Sequence, residues 1–163
     1  MVTISEVMIQ PVRAIRDDAT VAEAIEFLTE HHIGGAPVVN GEGQLVGMIS
    51  ELELIDVVFD PAVKNFSVAD YMTAEVHSVS PADALSRAAQ LFTLYDFRRL
   101  PVVENGKLVG IFTRRDLMNH ALSTSKVLTD PLVELFPSLA PVGACEDAEA
   151  RFLLSNRVGD ELS

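Results

Sequence analysis

Two stretches of the chain decide the fold, because they are copies of each other. The first is APVVNGEGQLVGMISELE, residues 36–53, and the second is LPVVENGKLVGIFTRRD, residues 100–116. Each contains a Pro-Val-Val run, an Asn-Gly pair, a Leu-Val-Gly run, and then Ser or Thr followed three residues later by an acid. Because Asn and Gly readily adopt the positive φ angles of tight hairpins, each stretch predicts two antiparallel strands joined by a turn.

The likeness extends to both sides of these hairpins. A shift of 64 positions pairs Met8 with Met72, and after a one-residue deletion in the second copy a shift of 63 pairs Leu54 with Leu117. Pro61, between the copies, is a helix stop. We therefore divide the chain into four parts. They are a first repeat (1–58), a linker (59–67), a second repeat (68–125) and a tail (126–163).

Each copy predicts the same order of elements. Apolar residues at 21, 24, 25 and 28, and again at 85, 88, 89 and 92, follow the i, i+3, i+4, i+7 spacing of a helix with one buried stripe. Thr20-Val-Ala-Glu23 and Ser80-Pro81-Ala-Asp83 predict the starts of these helices, with Pro81 at the first helical position. Extended pieces at 12–16 and 76–79 precede the helices, and second helices are expected from about Glu51 and Arg114. The nearly continuous apolar runs of the hairpins predict strands buried on both faces.

The composition narrows the classes of function. The chain has 163 residues, 48% of them apolar, which suits one globular body. With 24 acidic against 12 basic residues the formal charge is −12, which disfavours binding to nucleic acid or to a membrane surface. Cys145 is the single cysteine, so no internal disulfide forms, and we expect a soluble cytoplasmic protein. No nucleophile with a base and no ligand set for a metal is visible, so we expect neither an enzyme nor a metal site.

The end of the second hairpin carries a more specific pattern. Gly110, two apolar residues, Thr113, two variable residues and Asp116 follow the Pro-Val-Val strand, and this order resembles the cystathionine-β-synthase (CBS) domain, which occurs in tandem pairs. The resemblance covers about 115 of the 163 residues. It implies an α/β fold of two β-α-β-β-α repeats related by pseudo-twofold symmetry, with two clefts that bind adenosine nucleotides or S-adenosylmethionine in many members. It also implies a homodimer that requires no cofactor.

The resemblance assigns roles to individual residues. Asp116 would accept hydrogen bonds from both ribose hydroxyls, Thr113 would contact ribose or phosphate, and the base would lie near 74–76 and 97–100. In the first copy Glu53 replaces the expected Asp, and its additional methylene would misplace the carboxylate. Arg98 and Arg99 replace the small residues that the family often has before this strand, which would narrow the adenine slot. The candidate ligand-binding residues are Thr113, Asp116, Arg114, Arg98, Arg99, Val76, Ala74, Pro101, Ser50 and Glu53.

A purely structural alternative exists for both motifs. Ser50-x-x-Glu53 is a capping box and Thr113-x-x-Asp116 is nearly one, so both can serve only to satisfy free N–H groups at a helix start. The distribution of charge favours a ligand in the second copy. Residues 98–115 hold five of the twelve basic residues, whereas 34–53 hold none. Arginine can bind two phosphate oxygens at once through paired hydrogen bonds, which favours a phosphate ligand here. The alternative is that these arginines are solvated or form ion pairs with the surplus acidic residues.

These observations predict a noncatalytic regulatory module that binds an adenosine-type nucleotide in the cleft between the repeats. AMP, ADP, ATP and S-adenosylmethionine are the candidate ligands, and occupancy would pass to a dimer mate or to an unidentified protein partner. The alternative is a ligand-free scaffold or interaction module that dimerises through its pair of repeats. In the tail, residues 145–158 suit a short helix that packs on the body, across a dimer, or against another protein.

Overall fold

The computed structural model describes residues 1–124; the tail and its expected helix lie outside the described residues. None of the helices in this described part is long and apolar enough to cross a membrane. In chain order the elements are a 3-10 helix (Ile4–Glu6), β1 (Ile15–Arg16), α1 (Val21–Glu30), β2 (Gly35–Val39), β3 (Leu45–Ser50), α2 (Glu51–Ile55), a second 3-10 helix (Val68–Asp70), α3 (Leu85–Tyr95), β4 (Arg99–Glu104), β5 (Lys107–Thr113) and α4 (Arg114–Ser123).

The strands form one small sheet in each repeat, which confirms the α/β fold and the predicted hairpins. In the first repeat β1 runs parallel to β2, and β2 pairs antiparallel with β3. In the second repeat β4 pairs antiparallel with β5. The extended piece predicted at 76–79 is shorter than expected, because only Val79 pairs, in a parallel bridge to Val102. Both hairpins shift register at equivalent points, after Val38 and after Val102.

The helices and hairpins enclose two hydrophobic cores. The predicted apolar stripes face these cores, except that Ile25 is only partly buried. The central hairpin strands are buried on both faces over 35–38 and 100–102, and Val38 and Val102 in these runs are 0% exposed. Burial of this kind stabilises the fold by roughly 1.5–3 kcal/mol per large aliphatic side chain.

Each core is completed by a residue from the first few positions of the other repeat. Ile4, near the start of the chain, is 0% exposed in the core of the second repeat, and its N–H donates to the carbonyl of Asp83 at 2.9 Å. Val68, which follows the linker, is 0% exposed in the core of the first repeat and donates to the carbonyl of Ala19 at 2.8 Å. The two repeats are therefore interlocked by an exchange of segments.

The start of α3 corrects one prediction. Thr20 caps α1 as expected, but Ser80 and Asp83 do not cap a helix: the Ser80 N–H donates to Asp83 Oδ2 at 2.8 Å and closes a turn. The helix begins later, at Leu85, and its N-cap Ala84 makes no side-chain hydrogen bond. Instead, Leu85 N donates to the carbonyl of Val2 at 3.4 Å. The exchanged N-terminal segment thus provides an acceptor that a capping side chain would otherwise supply.

Candidate functional site

The Thr113 motif at the start of α4 forms a capping box. Thr113 Oγ1 accepts a hydrogen bond from Asp116 N at 3.1 Å, and Asp116 Oδ2 accepts from Thr113 N at 2.8 Å and from Thr113 Oγ1 at 2.6 Å. Among residues 1–124, nothing donates to the other oxygen, Oδ1. Because a carboxylate offers about four acceptor positions, capping leaves Asp116 able to accept further hydrogen bonds. The structural and ligand-binding interpretations of this motif are compatible.

The Ser50 motif at the start of α2 is also a capping box, but its carboxylate is more fully engaged. Glu53 Oε2 accepts from Ser50 N at 2.9 Å and from the Ser50 hydroxyl. Its other oxygen, Oε1, accepts from Thr73 Oγ1 at 3.0 Å. The additional methylene of Glu53 therefore lets the carboxylate reach a hydroxyl at the start of the second repeat. Both oxygens of Glu53 have partners, whereas only one oxygen of Asp116 has them.

A cleft of about 480 Å³ lies between the repeats, and we call it the inter-repeat cleft. One wall is the end of β3 and the start of α2, and the other is made by 73–77 and 96–101. Six of the ten candidate residues line it: Ser50, Glu53, Val76, Arg98, Arg99 and Pro101. Val76 and Pro101 thus face the motif of the first repeat and not Thr113. The structure pairs the motif of the first repeat with residues of the second repeat, which sequence reasoning within one copy did not predict.

A second, more open depression of about 560 Å³ lies at the start of α4. We call it the arginine depression. Its lining consists of Asp96, Arg98, Arg99, Thr113, Arg114 and Arg115. Four of the five basic residues that cluster in the sequence therefore lie close together in the structure. The fifth, Lys107, does not line the depression. Ala74 is exposed and lines neither this depression nor the inter-repeat cleft.

The arginine depression keeps most of its positive charge. Arg114 Nη2 lies 3.1 Å from Asp96 Oδ1, but the Asp96 side chain is 95% exposed, so this ion pair is screened and weak. Among residues 1–124 the only other ion pair, Arg16 with Asp18, lies outside the depression. Three guanidinium groups therefore remain without a carboxylate partner within 4 Å in this part of the chain. Such a surface attracts an anion.

Arg99 lines both the inter-repeat cleft and the arginine depression. Its guanidinium donates to the main-chain carbonyl of Gly35 in the first repeat. Burial and then the neighbouring Arg98 lower the pKa of Arg99, while Glu51 opposes them. The group remains a cation at neutral pH, because an arginine side chain is not deprotonated in proteins. Four of its five N–H donors are not used by this bond and can serve a ligand.

An aromatic cluster beside the inter-repeat cleft was not predicted from the sequence. The ring of His77 lies 4.5 Å from that of Tyr95 and 5.2 Å from that of Phe97, and the rings of Tyr95 and Phe97 are 5.3 Å apart. His77 and Phe97 line the cleft. The sequence offers little signal for this cluster, because His77 is eighteen positions from Tyr95 and lies outside the helices and strands.

Comparisons with known proteins agree with the duplicated fold. A family model described as CBS domain matches residues 4–60 and 68–123. The protein MJ1225 of Methanocaldococcus jannaschii is 37% identical over 115 residues, which are 71% of this chain and 41% of that protein. An A-adding tRNA nucleotidyltransferase of Aquifex aeolicus is 32% identical over 118 residues, with 71% of this chain and 14% of the enzyme covered. The chain thus spans less than half the length of these two relatives.

Among the similar solved structures is one of this fold with a nucleotide bound. It is the complex of CBSX2 with AMP, and CBSX2 has also been solved as a CBS-pair protein from Arabidopsis thaliana. The AMP complex is 32% identical to this chain and superposes with a TM-score of 0.69. The match covers 76% of this chain and 98% of CBSX2.

Proposed function

The chain belongs to the CBS domain family, and we propose that it is a noncatalytic regulatory module whose ligand is an adenosine-type nucleotide. AMP, ADP, ATP and S-adenosylmethionine are the candidates. The observation that carries this proposal is the arginine depression, which Thr113 lines, together with the carboxylate of Asp116, which is bonded to Thr113 through one oxygen and has the other to spare. The similarity to CBSX2, whose structure contains AMP, supports the same ligand class.

The ribose and phosphate have distinct places in this proposal. Asp116 Oδ1 accepts the protons of the ribose hydroxyls, and hydrogen bonds to a charged group contribute about 1.5–3 kcal/mol each. The phosphate lies at the start of α4, a helix of ten residues whose first N–H groups and dipole favour an anion. Arg98, Arg99 and Arg114 surround this position and neutralise the charge.

The base has a different place from the one that the sequence indicated. In the inter-repeat cleft, the Ser50 motif faces 73–77 of the other repeat. The equivalent segment of the first repeat, 9–13, begins beside β5, where Ile9 N donates to the carbonyl of Ile111 at 2.8 Å. By this equivalence we place the base against 9–13.

A thermal melt with each candidate nucleotide tests this function. A ligand at 100 times its Kd adds about 2.7 kcal/mol of stability, which raises the Tm of a domain of this size by roughly 5–10 °C. Asp116→Ala should abolish the shift. Glu53→Ala is the matched control, because it also removes a capping carboxylate, and it should leave the shift nearly unchanged. If no nucleotide raises the Tm of the wild-type protein, the sensor function is wrong.

Exposed apolar side chains on two helices support a second proposed property, the association of the chain with another copy of itself. Leu52 and Ile55 on α2 are 81% and 64% exposed, and Met118 and Leu122 on α4 are 64% and 86% exposed. Burying such side chains drives association, so these helices support a homodimer, or a scaffold if no nucleotide binds. Light scattering should give the mass of a dimer, and Leu122→Glu should give a monomer. We also propose a cytoplasmic location, where adenosine nucleotides are available.

A further inference from the structure

The arginine depression is a positively charged surface on an acidic body. Residues 1–124 contain 17 acidic and 9 basic residues, a formal charge of −8. Four of these nine basic residues line the depression, where the only acidic lining residue is Asp96. A negatively charged segment is therefore repelled by the body as a whole and attracted to the depression.

The tail contains such a segment. From 127 to 150 the sequence has five acidic residues and no basic residue. Three of the five stand within four positions, at Glu146, Asp147 and Glu149, and we call 146–149 the acidic segment. A compact group of negative charges thus belongs to the same chain as the positively charged depression.

The acidic segment can reach the depression. The depression lies at the start of α4, and a helix of ten residues is about 15 Å long. Thr124 directly follows α4, and Glu146 comes 22 positions later in the sequence. A chain of this length can span up to about 70 Å, several times the distance required. Because the segment is attached to the same chain, its effective concentration at the depression is high, and weak contacts are sufficient.

Carboxylates suit the groups that line the depression. In the part of the chain that the structure describes, three of its four guanidinium groups have no carboxylate partner within 4 Å. A guanidinium binds a carboxylate through two parallel N–H···O hydrogen bonds, as it binds a phosphate. The three carboxylates of the acidic segment match these three groups in number. A segment bound in this way would occupy the position that the proposed function gives to the phosphate.

We propose that the acidic segment of the tail binds in the arginine depression of its own chain and competes there with the phosphate of the nucleotide. This inference rests on the proposed function, because it describes the regulation of that same site. The apparent Kd of a nucleotide is its intrinsic Kd divided by the fraction of chains in which the site is free. A segment that occupies the depression in about two chains out of three therefore weakens binding roughly threefold.

Two full-length variants with the same change in net charge test the competition. The first, the neutral-segment variant, combines Glu146→Gln, Asp147→Asn and Glu149→Gln. The control removes three charges from elsewhere in the tail and combines Asp130→Asn, Asp160→Asn and Glu161→Gln. In titration calorimetry at low salt, the neutral-segment variant should bind AMP roughly threefold more tightly than the wild type, and the control should match the wild type. In 1 M salt, where the Debye length is about 3 Å, the difference should disappear.

A spin label tests the position of the segment without reference to a nucleotide. Cys145 is the single cysteine and directly precedes the acidic segment, so a nitroxide can be attached there without any substitution. In NMR spectra of the full chain, the label should broaden the amide signals of Thr113, Arg114 and Arg115. The amide of Gly106, beyond the opposite end of β5, is the reference and should be broadened less. The same label on the neutral-segment variant should leave all four signals sharp.

The two measurements separate this inference from the proposed function. Equal AMP affinities of the wild type and the neutral-segment variant, an equal gain in the control, or no broadening near Thr113 would overturn the inference. Broadening seen only in mixtures of labelled and unlabelled chains would also overturn it, because the segment would then bind to a second copy. The proposed function survives each of these results if AMP binds. If AMP binds to none of the proteins, the proposed function is wrong, and the spin label alone decides whether the segment occupies the depression.

Discussion

The guanidinium of Arg99 donates a hydrogen bond to the main-chain carbonyl of Gly35, which ties the second repeat to the hairpin of the first. The two residues occupy equivalent positions of the repeats, 64 apart in the chain. Arg99 also lines both the inter-repeat cleft and the arginine depression. This contact between the repeats is therefore made where the inter-repeat cleft and the arginine depression meet.

Replacing Arg99 by alanine should destabilise the protein. The variant loses a hydrogen bond from a charged donor, and we expect the free energy of unfolding to fall by about 1.5 kcal/mol, the lower end of the usual range, because the group is partly exposed. Urea denaturation measures this. Arg98→Ala is the control, since Arg98 is exposed, and its effect should stay within about 0.5 kcal/mol. Equal effects of the two substitutions would show that the contact with Gly35 contributes nothing.

Replacing Gly47 by alanine should also destabilise the protein, by about 1–3 kcal/mol. A Cβ at this position would lie 2.5 Å from Met72 Sδ and 2.9 Å from the carbonyl oxygen of Thr73. The thioether can move, but the carbonyl belongs to a main chain that is hydrogen-bonded to β3, since Met48 N donates to it at 2.9 Å. Chemical denaturation measures the loss.

Two other glycines serve as controls for Gly47. At Gly110 a Cβ would lie 2.6 Å from Met8 Sδ but 3.3 Å from the nearest main-chain atom, so Gly110→Ala should cost less. At Gly41 the nearest atom is 3.5 Å away, at the end of a flexible arginine, so Gly41→Ala should change stability little. If Gly110→Ala proves the most damaging of the three, the main-chain clash does not explain the effect.

Replacing Ile4 by alanine tests the exchange of segments between the repeats. Ile4 is 0% exposed in the core of the second repeat, and its truncation should cost about 2–4 kcal/mol, as for other buried aliphatic residues. Calorimetric unfolding measures the change in Tm. Leu94→Ala is the control, because Leu94 is 73% exposed on α3. A variant with the Tm of the wild type would mean that the N-terminal segment is not part of this core.

Replacing Arg114 by glutamine should weaken the binding of AMP by roughly fivefold, which corresponds to about 1 kcal/mol for one partly exposed charge contact. Arg87→Gln removes the same charge from the exposed face of α3, outside the depression, and should leave the affinity unchanged. Titration calorimetry compares the two. Equal losses would indicate that only the net charge of the protein matters.

Where a helix start depends on neighbouring residues in the sequence, its position was mostly predicted correctly. The Thr113 and Ser50 motifs each place a hydroxyl and an acid three residues apart, and α4 and α2 begin at the expected residues, Arg114 and Glu51. The start of α3 was misplaced, because Ser80 and Asp83 make the same local hydrogen bond in a turn. Local spacing alone does not distinguish the two outcomes.

The arrangement of the site depended on contacts that are distant in the sequence. The alignment of Ile4 with Val68 shows that the segments are equivalent, but it does not show that each one packs into the other repeat's core. For the same reason Val76 was grouped with Thr113, although the structure places it opposite Ser50. Such an exchange depends on how the repeats pack in three dimensions. A single sequence does not show which residues distant in the chain are in contact, so it does not reveal the exchange.

A crystal structure of the protein with AMP tests the central claim most directly. We expect both ribose hydroxyls within hydrogen-bond distance of Asp116, with Oδ1 as the main acceptor, and the phosphate beside Arg114 and the first turn of α4. The capping bonds between Thr113 and Asp116 Oδ2 should persist. If AMP is found elsewhere, or if Asp116 contacts only its own helix in crystals in which the nucleotide is bound, the assignment of this site is contradicted.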